Sequence, residues 1–136
     1  MDLIKLPKIE LQCHLDGSVR AEIIGHGVYI KDCEDAYSIV KNKKVILEIC
    51  PTSNVQTKAV DSFANHPIYG FHKDGIKVTI NSDNRAVSDT TLSNEYSIVL
   101  NELDITYYEY KQLYYNSVDA SFADSQTKTT LRKYIK

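Results

Sequence analysis

Three short stretches of this 136-residue chain carry residue types that do acid–base or metal chemistry. They are Gln12-Cys13-His14-Leu15-Asp16-Gly17, Gly25-His26-Gly27 and Asn81-Ser82-Asp83-Asn84. Each closes a run that reads as a β-strand. In parallel α/β proteins, reactive side chains gather where strands give way to loops at their carboxyl ends. A fourth such end, Cys50-Pro51-Thr52-Ser53-Asn54, is polar but holds no imidazole or carboxylate. Two imidazoles and two carboxylates could converge on a metal ion or serve as an acid–base pair if the strands lie side by side. The same residue types also cap helices and tie loops, so spacing alone leaves both uses open.

The elements that must position these groups follow from hydrophobic patterning. Apolar Ile9, Leu11 and Cys13 alternate and predict a first strand over 9–14, and Ile23-Ile24 predicts a short second one. Cys33, Ala36, Tyr37 and Val40 recur at helical spacing, which predicts a helix over 32–43 capped by Asp32. Val45-Ile46-Leu47-Glu48-Ile49-Cys50 is a strand ended by Pro51. His66-Pro67 predicts a helix with proline at its first position and Gly75 at its close. Residues 76–81 alternate as a further strand. Leu92, Tyr96, Val99, Leu100 and Leu103 mark the next helix. Thr106 and Glu109 then form a capping-box pattern ahead of a helix with Tyr110, Leu113 and Tyr114 on one side. Ser125 is the expected cap of a last helix containing Leu131, Tyr134 and Ile135. Strands alternating with helices predict the α/β class. His66 reads as a helix-start residue, His72 as a solvated one, and the cysteines as small buried or partly buried apolar groups.

Composition excludes several classes. With 43% hydrophobic and 25% charged residues, the chain has the make-up of one ordinary globular domain. The balance of 16 basic against 18 acidic residues argues against a nucleic-acid partner. No apolar run approaches the roughly 20 residues that span a bilayer, so no membrane partner is expected. The N-terminus lacks the apolar core and cleavage site of a signal peptide. Cys13, Cys33 and Cys50 form no close pair, which fits a reducing cytoplasm. The length falls far below the roughly 250 residues of a complete (β/α)8 barrel.

Taken as motifs, the same stretches become specific. Leu6-Pro7-Lys8-Ile9-Glu10-Leu11-Gln12-Cys13-His14-Leu15-Asp16-Gly17-Ser18 resembles the opening of the adenosine deaminase family. Ile24-Gly25-His26-Gly27-Val28, Leu47-Glu48-Ile49-Cys50-Pro51-Thr52-Ser53-Asn54 and Val78-Thr79-Ile80-Asn81-Ser82-Asp83 resemble three later family motifs, in the family's order. Ala120-Ser121-Phe122-Ala123 is similar as well. The resemblance implies part of a metal-dependent amidohydrolase (β/α)8 barrel, with about four parallel strands and flanking helices. It also implies a single truncated domain, residues 1–20 giving the first-strand segment and 21–136 the sixth strand onward. The implied cofactor is zinc and the implied small-molecule partner a purine nucleoside, adenosine or deoxyadenosine, hydrolysed to the inosine form with release of ammonia. Residue by residue, His14 and Asp83 match metal ligands and His26 the histidine that orients the attacking water. Asp16 matches the aspartate that contacts ribose, and Asn84 stands where an aspartate bonds the purine.

Two departures bear on activity. Gln12 occupies the place of a metal histidine, and zinc prefers imidazole, thiolate or carboxylate to a neutral amide. Between Arg20 and Ala21 the sequence passes from the family's first strand directly to its sixth. The segment carrying a third metal histidine and the proton-shuttling glutamate has no counterpart, and the junction is expected to be strained, irregular or unfolded. The expectation is an impaired adenosine deaminase. The alternative is an inactive half-barrel that binds a nucleoside or another protein, with exposed sheet edges inviting self-association.

Overall fold

A computed structural model describes residues 5–11, 23–103 and 105–135. Three parallel strands form one sheet in the order β1 (Ile23–Gly25), β2 (Ile46–Ile49), β3 (Lys77–Ile80). Ile24 lies beside Leu47, and Leu47 beside Val78. Parallel neighbours need a crossover rather than a hairpin. A 3-10 turn (Val28–Asp32) and α1 (Glu34–Asn42) make the first crossover. The second runs through α2 (Pro51–Gln56), a 3-10 turn (Phe63–Asn65) and α3 (Ile68–Lys73). After β3 come α4 (Arg85–Ser88), α5 (Leu92–Glu102), α6 (Tyr107–Ala120) and α7 (Ser125–Leu131).

Burial explains why the strand sequences are nearly all apolar. Leu47, Ile49, Val78 and Ile80 are fully buried, as strands covered on both faces must be. Helices α3 and α6 lie against β3. The core continues into Tyr96, Val99, Tyr110, Leu113, Tyr114 and Val118 from α5 and α6. The Tyr96 and Tyr110 rings meet edge-to-face at 5.3 Å. By contrast β1 is short and its Ile24 is exposed.

The α/β class with parallel strands is what the sequence predicts, but the described residues hold three strands rather than four. Residues 9–11 make no ladder pairing and instead run against the end of β3. There the Leu11 amide donates to Asn81 Oδ1 at 3.0 Å. The Glu10 carboxylate accepts from the Ser82 amide at 3.1 Å and from the Ser82 hydroxyl. The rest of the predicted first strand, and the Arg20–Ala21 junction, lie outside the described residues.

Helix starts also shift. Cys33, not Asp32, precedes α1: Asp32 closes the preceding 3-10 turn, and its carboxylate accepts from Lys31 Nζ at 2.8 Å. Asp124, not Ser125, caps α7 by accepting from the Thr127 amide. Pro67 sits one position before α3 rather than inside it. The capping box of Thr106 and Glu109 forms as expected. Cys50 is buried as predicted, but Cys33 is exposed. Among the described residues, no helix is long and apolar enough to cross a membrane.

Candidate active site at the carboxyl ends of the strands

The site begins where β1 stops. His26 extends the ladder by one bond, its amide donating to Glu48 O at 2.9 Å, and then the chain turns sharply. His26 takes φ 59° and Gly27 φ 67°. Glycine is required at 27: beyond the left-handed backbone, a Cβ there would stand 2.9 Å from Leu47 Cδ2. At the end of β3, Asp83 likewise adopts φ 56°. A left-handed non-glycine residue costs roughly 1–3 kcal/mol and persists where its surroundings hold it in place. Both strained turns aim their side chains at one spot, with His26 Nε2 3.8 Å from Asp83 Oδ2. That gap is too long for a direct hydrogen bond.

Helix α2 steadies both groups from below. Pro51 starts it at the end of β2, which brings Ser53 and Asn54 around to the strand ends. Ser53 Oγ donates to Asp83 Oδ2 at 2.7 Å. Asn54 Nδ2 lies 3.0 Å from His26 Nδ1, and Asn54 Oδ1 lies 3.2 Å from His66 Nε2. The first turn of α2 is anchored by Glu95 of α5, which is fully buried. One oxygen of Glu95 accepts from the Thr52 amide at 2.9 Å and the other from Thr90 Oγ1 at 2.6 Å. His66 is itself 5% exposed, and burial pushes its pKa down to about 4. A cavity of about 400 Å³ opens over this layer, bordered by His26, Tyr29, Ser53, Asn54, Thr57 and Asp83 among others.

Of the residues singled out by sequence, His26 and Asp83 are brought together. Asn84 is exposed, does not border the cavity, and spends Oδ1 on the Val87 amide at 3.2 Å as the cap of α4. His14, Asp16 and Gln12 lie outside the described residues. Ser53, Asn54, His66 and Glu95 were not anticipated as site residues. For Ser53 and Asn54 the sequence signal is the polar strand end Cys50-Pro51-Thr52-Ser53-Asn54, where Pro51 ends a strand and can equally open a helix; His66 and Glu95 carry none. His66 is a buried partner of the site rather than a plain helix-start residue. His72 is half-buried, and burial lowers its pKa, against the solvated position expected.

A catalytic zinc ordinarily takes three protein ligands and a water. The described residues contain no group of three His, Cys, Asp or Glu that could hold a metal ion. Asp83 and His26 therefore do not make a zinc site by themselves.

The adenosine deaminase family model matches residues 17–136. This chain belongs to the adenosine deaminase family. An adenosine deaminase from Clostridium botulinum (strain Loch Maree / Type A3) is 52% identical over 118 residues, which cover 87% of this chain and 35% of that protein. The solved adenine deaminase from Arthrobacter aurescens superposes with a TM-score of 0.81 at 30% identity, over 84% of this chain and 35% of that one. The N6-methyl-AMP deaminase from Arabidopsis thaliana gives 0.76 at 29% identity, over 84% and 33%. The family member described here thus spans about a third of the length of the relatives it matches.

Proposed function

We propose that this chain acts on a purine nucleoside, hydrolysing adenosine or deoxyadenosine to inosine or deoxyinosine and releasing ammonia, more slowly than a full-length relative. The observation that carries the reading is the pairing of His26 with Asp83 on two strained turns over one cavity. Each is held by a hydrogen bond from α2, at 3.0 Å for His26 and 2.7 Å for Asp83. A group positioned this firmly can orient a water without reorganising when it reacts. In this reading His26 and Asp83 fix the attacking water between them, and Asn84 Nδ2 donates to a ring nitrogen of the purine. Asp16 contacts the ribose, and His14 joins Asp83 toward a metal. The three relatives are named for adenosine, adenine and N6-methyl-AMP, all purines with nitrogen on C6. Zinc is the family's metal. The described donors do not complete a site for it.

The test is ultraviolet absorbance of adenosine mixed with the purified chain and a zinc salt. Slow conversion to inosine is expected, with Asp83→Ala lowering the rate by about 10²-fold or more. A chain that neither converts adenosine nor binds it in calorimetry refutes the reading. The incomplete donor set favours a second one, nucleoside binding without turnover, which calorimetric heat with unchanged absorbance would identify. The exposed β1 edge further supports self-association as a property of this chain.

A further inference from the structure

We propose that His66 and Asn54 form a one-way hydrogen-bond relay that fixes the tautomer of His26, placing its proton on Nε2, the nitrogen that faces Asp83. The direction is set at the far end by a group with no choice. The backbone amide of Ile68 opens α3, where no intrahelical acceptor exists for it, and it donates to His66 Nδ1 at 3.2 Å. A backbone N–H can only donate, so His66 Nδ1 holds a lone pair. Burial keeps this imidazole neutral at pH 7, so its single proton sits on Nε2. That proton points to Asn54 Oδ1 at 3.2 Å.

The amide of Asn54 is thereby oriented. With Oδ1 turned to His66, Nδ2 must face His26 Nδ1, 3.0 Å away. The amide donates, so His26 Nδ1 accepts and the ring proton is left on Nε2. Turning any member over would set two donors face to face, or two acceptors, inside a buried layer, at a cost of about 1–3 kcal/mol per unmade bond. Asn54 has little freedom to evade this. It is 2% exposed, and its backbone is pinned, the N–H donating to Cys50 O at 2.9 Å and the backbone carbonyl accepting from the Val60 amide at 3.0 Å. His66 is thus a positioning residue, two hydrogen bonds removed from the reacting centre.

The use of the relay in catalysis rests on the deaminase reading, where Nε2–H would be the donor offered to water. The tautomer itself belongs to the chain without substrate or metal and is measured that way. In the full ¹⁵N-labelled chain at pH 7, two-bond ¹H–¹⁵N spectra report which ring nitrogen of each histidine carries the proton. Through-hydrogen-bond N–N couplings report the two N–H···N links. Protons on Nε2 of both His26 and His66 are expected, with couplings from Asn54 Nδ2 to His26 Nδ1 and from the Ile68 amide to His66 Nδ1. His66→Leu should abolish the Asn54–His26 coupling, whereas His66→Gln, which keeps a side-chain N–H donor, should restore it. Asn54→Asp, close in shape but without a donor, should move a proton onto His26 Nδ1. A wild-type His26 protonated on Nδ1, or a folded His66→Leu chain with its coupling intact, overturns the relay. The wild-type spectrum decides alone if a variant fails to fold. Adenosine turnover is assayed separately, so its absence counts against the deaminase reading and leaves the relay standing.

Discussion

A buried neutral imidazole ties stability to acidity. His66 titrates at its usual 6.5 in the unfolded chain and at about 4 in the folded one, because burial disfavours its cation. Between those values the unfolded chain binds more protons, so stability falls as pH drops from 6.5 toward 4 and loses roughly 3 kcal/mol over that window. Urea denaturation at a series of pH values should show this slope, and His66→Gln should flatten it. Glu109 adds a lower step. Its carboxylate is held down to about 2, first by the hydrogen bond from Lys73 and then by Thr106, so its contribution disappears between 4.5 and 2. The two windows barely overlap; His72, whose pKa burial also lowers, adds to the upper one, and the difference between wild type and His66→Gln isolates the share of His66.

At the scale of elements, two short features carry the site. Gly27→Ala meets both a left-handed backbone and the Leu47 side chain, and should cost about 1–3 kcal/mol while displacing His26. Thermal unfolding checks the first, and the tautomer spectrum of His26 the second. Glu95→Ala strips two donors of their buried acceptor and should cost about 2–4 kcal/mol, measured by urea unfolding. The long elements were legible in the sequence because each carries enough apolar residues to show a pattern: the apolar runs of β2 and β3 and the helical spacing in α5 and α6 fall where the structure has these elements. Helices α2 and α4 were not, since Pro51-Thr52-Ser53-Asn54 and Arg85-Ala86-Val87-Ser88 are too short to show a face. The same gap hid part of the site. His26 and Asp83 stand out as titratable groups at strand ends. Asn54 and His66, 12 residues apart, meet only because α2 folds back over the end of β2.

For the whole molecule, the two sides of the sheet are finished differently. Asn81 N bonds to Ile49 O, so the carbonyl of Val78 turns away from β2. It accepts instead from Asn116 Nδ2 of α6 at 2.9 Å, and residues 9–11 cover the strand's end. The opposite side, β1, pairs only with β2 among the described residues and shows Ile24 outward. Self-association should therefore proceed through β1. Sedimentation velocity is expected to show concentration-dependent dimerisation that Ile24→Lys weakens by about tenfold or more. Wild-type chain that stays monomeric at high concentration would refute this. The contacts of Glu10 and Leu11 with Ser82 and Asn81 join positions 70 to 72 residues apart. Closing so long a loop is slow compared with winding a helix or pairing adjacent strands. The latch between the beginning of the chain and the end of β3 therefore belongs late in the order of assembly. An interrupted refolding reaction would catch a finished three-stranded core whose first residues have not yet docked.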